Sequence, residues 1–439
     1  MTKKITQIKK NDITYTFLGL PNSNIFKYEV VQKLGSLIEK NSSFYFPTIK
    51  KEIFGISHLI EHMCFKHSKN YTSDEIIHKL KKYGRYNAST SHDRVNYWYQ
   101  STNEHIHTTI DLVNEIAFND LTKVPENEFL MERDTVYNEC KRYMDDDHSF
   151  FHFTSNSRSF GLKDNDNVLG SLENISSLTL EDIIEVKKLF NMEGEQTINI
   201  TFDNNLLTPN EIIDLIEKSL SNKNIVFTPR DETKINYYKS QLPKLLKGEL
   251  SIPCESEQIL YNNMFEIDGF DRLTINYAKN FLSNFSPTSL FDEVREKRGL
   301  TYGIHFGLDR MAYKDYWGIS CDITKGNEEK LVEAIKISCE ETLKNFSLEQ
   351  YNEFIETLKI NRSIQNLNLS VYERLLWDFN EINILREDNE ISKTLKTDID
   401  LAFNKIDEHV TFENMKKVLE IINHNIKNNK GIISWSTNS

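Results

Sequence analysis

The chain has 439 residues, of which 38% are hydrophobic, 11% aromatic and 27% charged, and its formal net charge is −13. That length is too great for one ordinary hydrophobic core, so two or more domains are expected. The acidic balance excludes the basic patches that non-specific nucleic-acid binding needs, and suits a surface or cavity that attracts basic ligands. No apolar run approaches transmembrane length, so no membrane partner is expected. The five cysteines (Cys64, Cys140, Cys254, Cys321 and Cys339) are scattered and form no C-x-x-C, the pattern of reduced thiols in a cytoplasmic protein. The first ten residues, M-T-K-K-I-T-Q-I-K-K, are basic, but no apolar stretch follows, which argues against a secretory signal.

Residues 13 to 40 alternate apolar and polar in patches, I-T-Y-T-F and then F-K-Y-E-V-V, and predict strands with Gly35 at a turn or bulge. Residues 55 to 67 predict a helix. The T-x-x-E capping spacing of Thr72 and Glu75 opens another, which ends near Tyr83 before Gly84. Two strands follow, 86–91 and 94–102, joined through Ser91, His92 and Asp93. Residues 103–119 predict a helix, and a further helix begins near Pro125 and continues through Glu139. Residues 168–175 read as a loop, 177–190 as helix, 196–202 as strand and 208–220 as helix. Residues 226–255 carry Pro229, Pro243, Pro253 and many charges, and predict an inter-domain connection. Beyond it come helices at 272–283 and 288–297, hairpin strands near 301–308 and 315–323, a helix at 327–344 and long helices to the end. A helix, a hairpin and a helix thus occur in both halves. The expected class is α+β, with two related α/β domains at 1–225 and 256–439 flanking the 226–255 linker.

Within the helix at 55–67 lies H-L-I-E-H. His58 and His62 are four apart and stack one turn apart on the same face, with Glu61 beside them. Two imidazoles at that spacing reach one metal ion, and the adjacent carboxylate takes a proton from activated water. This is the inverted zinc-hydrolase motif H-x-x-E-H. A catalytic zinc has three protein ligands and one open position. Glu132 and Glu139, seven apart on one face of the helix from Pro125, are both candidates for the third.

Here the chain resembles the family of pitrilysin, insulin-degrading enzyme and the mitochondrial processing peptidase. G-I-S-H-L-I-E-H-M-C-F-K, G-R-Y-N-A-S-T and V-L-G-S-L-E-N-I are similar to that family's runs, and E-R-D-T-V-Y-N-E carries its E-x6-E pair. The resemblance implies one Zn2+ per chain held by His58, His62 and Glu139, with Glu61 as general base and Glu132 orienting a ligand from behind. It places Asn87 and Ala88 on a sheet edge that takes up the substrate main chain. In the second half, S-L-F-D-E-V-R-E-K-R-G-L-T-Y-G resembles the family's R-x6-Y element, which makes Arg295 and Tyr302 further active-site residues. A tyrosine hydroxyl can donate to a developing oxyanion, and an arginine can fix a substrate carbonyl. Arg298 is the neighbouring alternative, and spacing favours Arg295.

The implied activity is zinc-dependent endopeptidase action on peptides or unfolded segments. The implied architecture is a mainly antiparallel sheet with helices packed on it in each domain. Family members of this size pair with a second chain, so a homodimer is the simplest expectation and a heterodimer with a homologue the other form. Two alternatives stand beside this: a non-catalytic assembly or peptide-binding subunit of the same superfamily, and a zinc hydrolase acting on a non-peptide bond. The complete set of ligands and base argues against the first. The other ten histidines, His67 among them, have no ligand-like partner in a matching frame and are expected to be ordinary. F-K-H-S stands where the family has F-K-G-T, and extra residues around Phe46 to Lys51 precede the motif.

Overall fold

The computed structural model describes residues 1–437 apart from 165–166, 193–195, 226, 228–232, 234–235, 238–239, 241–242, 312–313 and 366–368. The aromatic and β-branched alternation of the N-terminal half builds a six-stranded sheet. Its strands are β1 (Lys4–Lys10), β2 (Ile13–Gly19), β3 (Ile25–Gln32), β4 (Gly84–Thr90), β5 (Val95–Thr102) and β6 (Gln196–Phe202). They lie in the order β1-β2-β6-β3-β5-β4. Only β2 and β6 run parallel; every other neighbouring pair is antiparallel. The second sheet comprises β7 (Gly248–Pro253), β8 (Gln258–Phe265), β9 (Ile304–Met311), β10 (Lys314–Thr324) and β11 (Ile432–Thr437), in the order β7-β11-β8-β10-β9. There only β7 and β11 are parallel.

Set β1 aside and the two sheets have the same wiring. The first strand pairs in parallel with the last, the last with the second, the second with the fourth, and the fourth with the third. Each sheet carries its own core. Tyr15, Phe17, Tyr28 and Ile60 belong to one, and Trp317, Phe281, Leu331 and Ile422 to the other. Burying such large side chains contributes on the order of 2–3 kcal/mol each.

The halves also exchange helices. Helix Asp147–Ser159, from the first half, lies on the second sheet, where Phe151 packs with Ile252 of β7 and Leu260 of β8. Helix Leu369–Glu381, from the second half, lies on the first sheet. Asn380 accepts from Thr16 at 2.8 Å and donates to Asn199 at 2.8 Å, Lys27 meets Glu373 at 3.1 Å, and Arg94 donates to Glu381 at 2.9 Å. Arg310 of β9 pairs with the same Glu381 carboxylate.

Several local expectations are corrected. The basic N-terminus forms β1, whose Ile5 is fully buried, because pairing with β2 gives its two isoleucines an apolar surface. Residues 36–41 wind into a 3₁₀ helix and do not extend a strand. Gly84 does not cap a helix in left-handed conformation. It opens β4 with an extended backbone, and a Cβ there would meet the Gln100 carbonyl oxygen at 2.1 Å. The expected loop at 168–175 is helical from Leu172, in helix Leu172–Ser177, because Ser171 caps it by accepting from Asn174 N–H at 3.1 Å. In the expected 226–255 connection, part of which lies outside the described residues, Gly248–Pro253 is strand β7; the flanking prolines and charges mask its Leu250/Ile252 alternation. The last described residues form β11, not helix, a short strand sheltered between β7 and β8.

Candidate metal centre

Helix Ile56–Met63 carries the two histidines and has a built N-terminus. Gly55 adopts the left-handed conformation at φ 92°, and a Cβ there would meet the Leu169 carbonyl at 2.7 Å, so only glycine fits. The buried Glu39 carboxylate accepts from the Gly55 and Ser57 N–H groups at 2.7 and 2.9 Å. It thereby satisfies free donors at the positive end of the helix dipole. Helix Glu126–Asp145 packs beside it and turns a stripe of glutamates toward it.

His58, His62 and Glu139 converge, with one ligand atom from each lying within 4.8 Å of the others. Glu139 Oε2 is 3.5 Å from His62 Nε2 and 3.9 Å from His58 Nε2. Ligands of one tetrahedral zinc lie about 3.4 Å apart, so small adjustments would close the set on an ion. The imidazole rings stand 4.8 Å apart and nearly perpendicular, at 84°. No other such group of three occurs among the described residues. Glu132 and Glu139 meet different atoms of His62. Glu132 accepts from His62 Nδ1 at 2.9 Å and pairs with Lys66 at 2.6 Å, which leaves His62 Nε2 turned toward Glu139.

The electrostatics suit a cation. Burial, helped by His62, pushes the His58 pKa down to about 3, so this imidazole is neutral and a competent ligand. Its Nδ1 is buried without a hydrogen-bond partner. Burial also works against charge on His62, but the Glu132 hydrogen bond and the charges of Glu61, Glu132 and Glu139 carry its pKa above the ordinary value. Burial raises the Glu61 carboxyl above the usual carboxylate range, against the hydrogen bond it accepts from Thr90 Oγ1 at 2.7 Å.

That Thr90 bond joins Glu61 to the sheet. Thr90 ends β4, which among the described strands is the outermost of the first sheet and has a neighbour on one side only. Asn87 and Ala88 lie on this strand opposite Trp98 and Tyr97 of β5, with Asn87 exposed. Arg295 and Tyr302 sit together, the guanidinium 4.7 Å from the tyrosine ring centre. Tyr302 is 88% exposed, and among the described residues no hydrogen bond or ion pair joins either residue to the histidine–glutamate cluster. Four participants escaped the sequence: Glu39, Lys66, Thr90 and His67. His67 Nδ1 lies 3.0 Å from both Ser73 Oγ and the accepting Glu128 Oε2, which continues the glutamate stripe by one turn. A Glu128/Glu132 spacing of four on the same helix was the available signal for it.

Residues 50–159 match the family model described as insulinase (peptidase family M16), and residues 207–358 match the one described as the M16 inactive domain. An uncharacterized zinc protease, YmxG of Bacillus subtilis, is 24% identical over 260 residues, which span 58% of this chain and 60% of that protein. The zinc protease PqqE of Helicobacter pylori is 27% identical over 187 residues, 41% of this chain and 39% of that one. Among solved structures, a protease from Helicobacter pylori superposes over the whole of both chains with a TM-score of 0.73 at 15% identity. Pitrilysin superposes with a TM-score of 0.68 at 15% identity, over 99% of this chain and 45% of its own.

Proposed function

The chain belongs to the insulinase (M16) peptidase family, and from that premise we propose that it is a zinc-dependent endopeptidase acting on peptides or unfolded polypeptide segments. The observation that carries this reading is the convergence of His58, His62 and Glu139 with Glu61 beside them. Two nitrogens and one carboxylate form a donor set suited to catalytic zinc, and Glu132 behind His62 is the outer-shell partner such a ligand needs.

His58, His62 and Glu139 would hold the ion. Bound there, zinc supplies Lewis acidity and makes water a nucleophile at neutral pH. A substrate main chain adds to the open edge of β4 along Asn87 and Ala88, where backbone hydrogen bonds give sequence-tolerant affinity. This lays the chain along the strand whose last residue, Thr90, holds Glu61. Glu61 takes the proton of the attacking water and passes it to the departing amine; its raised pKa suits both halves of that task. Arg295 and Tyr302 complete the site, with Tyr302 donating to the oxyanion and Arg295 fixing a carbonyl. Their exposure supports action in a pair of chains, each lending these residues to the other, with a homodimer as the simplest form. The proposed division is a zinc-binding part at 1–225, a connection at 226–255 that includes β7, and a part from 256 that carries the Arg295/Tyr302 pair. All five cysteines are free and buried, which supports work in a reducing compartment such as the cytoplasm.

The test is Glu61→Gln. The variant is expected to bind one zinc per chain and to lose cleavage of a peptide mixture, followed by product mass spectrometry, by at least about 100-fold. A metal-loaded Glu61→Gln protein with full activity would falsify the assignment. Metal-free wild-type protein that regains no cleavage on adding zinc would favour the non-catalytic alternative.

A further inference from the structure

The repeat wiring leaves one difference at the sheet edges. In the first sheet, β1 covers the outer side of β2, and its sequence K-I-T-Q-I-K-K sets two isoleucines among three lysines. In the second sheet β7 holds the place of β2, and no described strand covers its outer side. The N–H groups of Gly248 and Cys254 point to β11, where they donate to Gly431 and Thr437. By alternation, Glu249 and Ser251 turn their N–H and C=O groups outward. Pro253 offers no N–H and closes the edge after them.

A groove of about 700 Å3 opens beside that edge. Its lining includes Trp435, Ile433 and Val332, the carboxylates Glu249, Glu328, Glu329 and Glu333, and the cation Lys325. Among the described residues, none of these four carboxylates has an ion-pair partner. The groove is therefore an anionic trough with an aromatic residue in its lining, next to a row of main-chain donors and acceptors. We propose that it docks an extended basic segment of another polypeptide, which pairs with Glu249 and Ser251 as an added strand. Its aliphatic side chains would rest on Trp435 and its lysines or arginines would meet the glutamates. Charge complementarity selects the occupant, and β1 shows on the first sheet what kind of strand this fold places there. The chain's own β1 is already committed to β2, so the segment comes from a partner. A tryptophan face also receives cations directly.

The probe is a labelled peptide of the β1 sequence, KITQIKK, titrated against the Glu61→Gln protein so that it is not cut, with binding read by fluorescence anisotropy. The expected dissociation constant is on the order of tens of micromolar and weakens as salt is raised. The paired substitutions Glu329→Lys and Glu333→Lys, both at exposed positions, are expected to weaken it at least about tenfold. Ser251→Pro removes an outward N–H and is expected to do the same, with circular dichroism confirming that it folds. A peptide with glutamate in place of lysine is expected not to bind. No binding below about 1 mM would overturn the proposal. Equal binding by the charge-reversed protein would also overturn it. Neither outcome bears on zinc binding or cleavage, so failure here is separable from failure of the peptidase reading.

Discussion

Glu132 is the hydrogen-bond partner of His62, one of the proposed zinc ligands. Burial disfavours its charge, yet the hydrogen bond from His62 and the pairing with Lys66 hold its carboxyl below the usual range, so it stays anionic. An anion on Nδ1 fixes the tautomer and makes Nε2 the basic, ligating nitrogen. Glu132→Ala is expected to lower zinc affinity about 10- to 100-fold, measured by competition with a chromogenic chelator, while leaving the melting temperature of the metal-free protein within a few degrees. Unchanged affinity would remove Glu132 from the site. At this scale the sequence was informative within a helix and silent between helices. Four-residue spacing placed His58 and His62 on one face without any structure. Choosing between Glu132 and Glu139 from the residues alone was not possible, because both occupy the same face and only the offset between two packed helices separates them. Thr90 and Glu39 reach the motif from other elements, and no local pattern announces such contacts.

Single elements were most legible where side chains close on their own backbone. The capping boxes of Thr72 with Glu75 and of Thr208 with Glu211 are formed, and both helices begin where those residues put them. Strands such as β1 and β11 carry no comparable local signature, since their stability comes from neighbours far away in sequence. A junction between elements gives a pH prediction. His409 ends helix Ile399–His409, and its Nε2 lies 3.0 Å from Asp271, the N-cap of helix Arg272–Asn280. That hydrogen bond raises the His409 pKa, against partial burial. Burial would raise Asp271, but bonds from His409 and Thr274 bring it below its ordinary value. The histidine's contribution is complete below its unfolded pKa and fades as pH rises through the raised folded value. The aspartate's is complete above its unfolded pKa and fades as pH falls through the lowered one. The contact is therefore most stabilising in mildly acid solution. After allowance for solvent screening it is worth about 0.5–1 kcal/mol. His409→Gln is expected to lower the melting temperature by about 1–3 °C at pH 5.5 and less at pH 8.5. An equal shift at both pH values would contradict the pairing.

Across the whole molecule, the twofold repetition of helix, hairpin and helix was visible in the sequence, but the shared wiring was not, because it depends on β7 and β11. The helix exchange was also invisible: a helix that covers a distant sheet looks like any other amphipathic segment. Glu381 is its main polar fastener, holding Arg94 of the first half and Arg310 of the second. Burial would raise its pKa, and the two guanidiniums keep it low and charged. Glu381→Ala leaves two part-buried arginines facing each other and is expected to destabilise the fold by about 2–4 kcal/mol, read as a lower urea midpoint. A midpoint unchanged from wild type would show that apolar packing alone holds the halves together.

Asp146 ends the helix that carries Glu139 and, with the same backbone, caps the helix seated on the second sheet. One residue thus separates the helix bearing Glu139, a proposed zinc ligand, from a helix packed on the other sheet. Any effect of an ion at the proposed site on the seating of that helix would be reciprocal, because linkage is. By whatever factor the seated helix sharpens the hold on the ion, the ion returns the same factor to the grip between the halves.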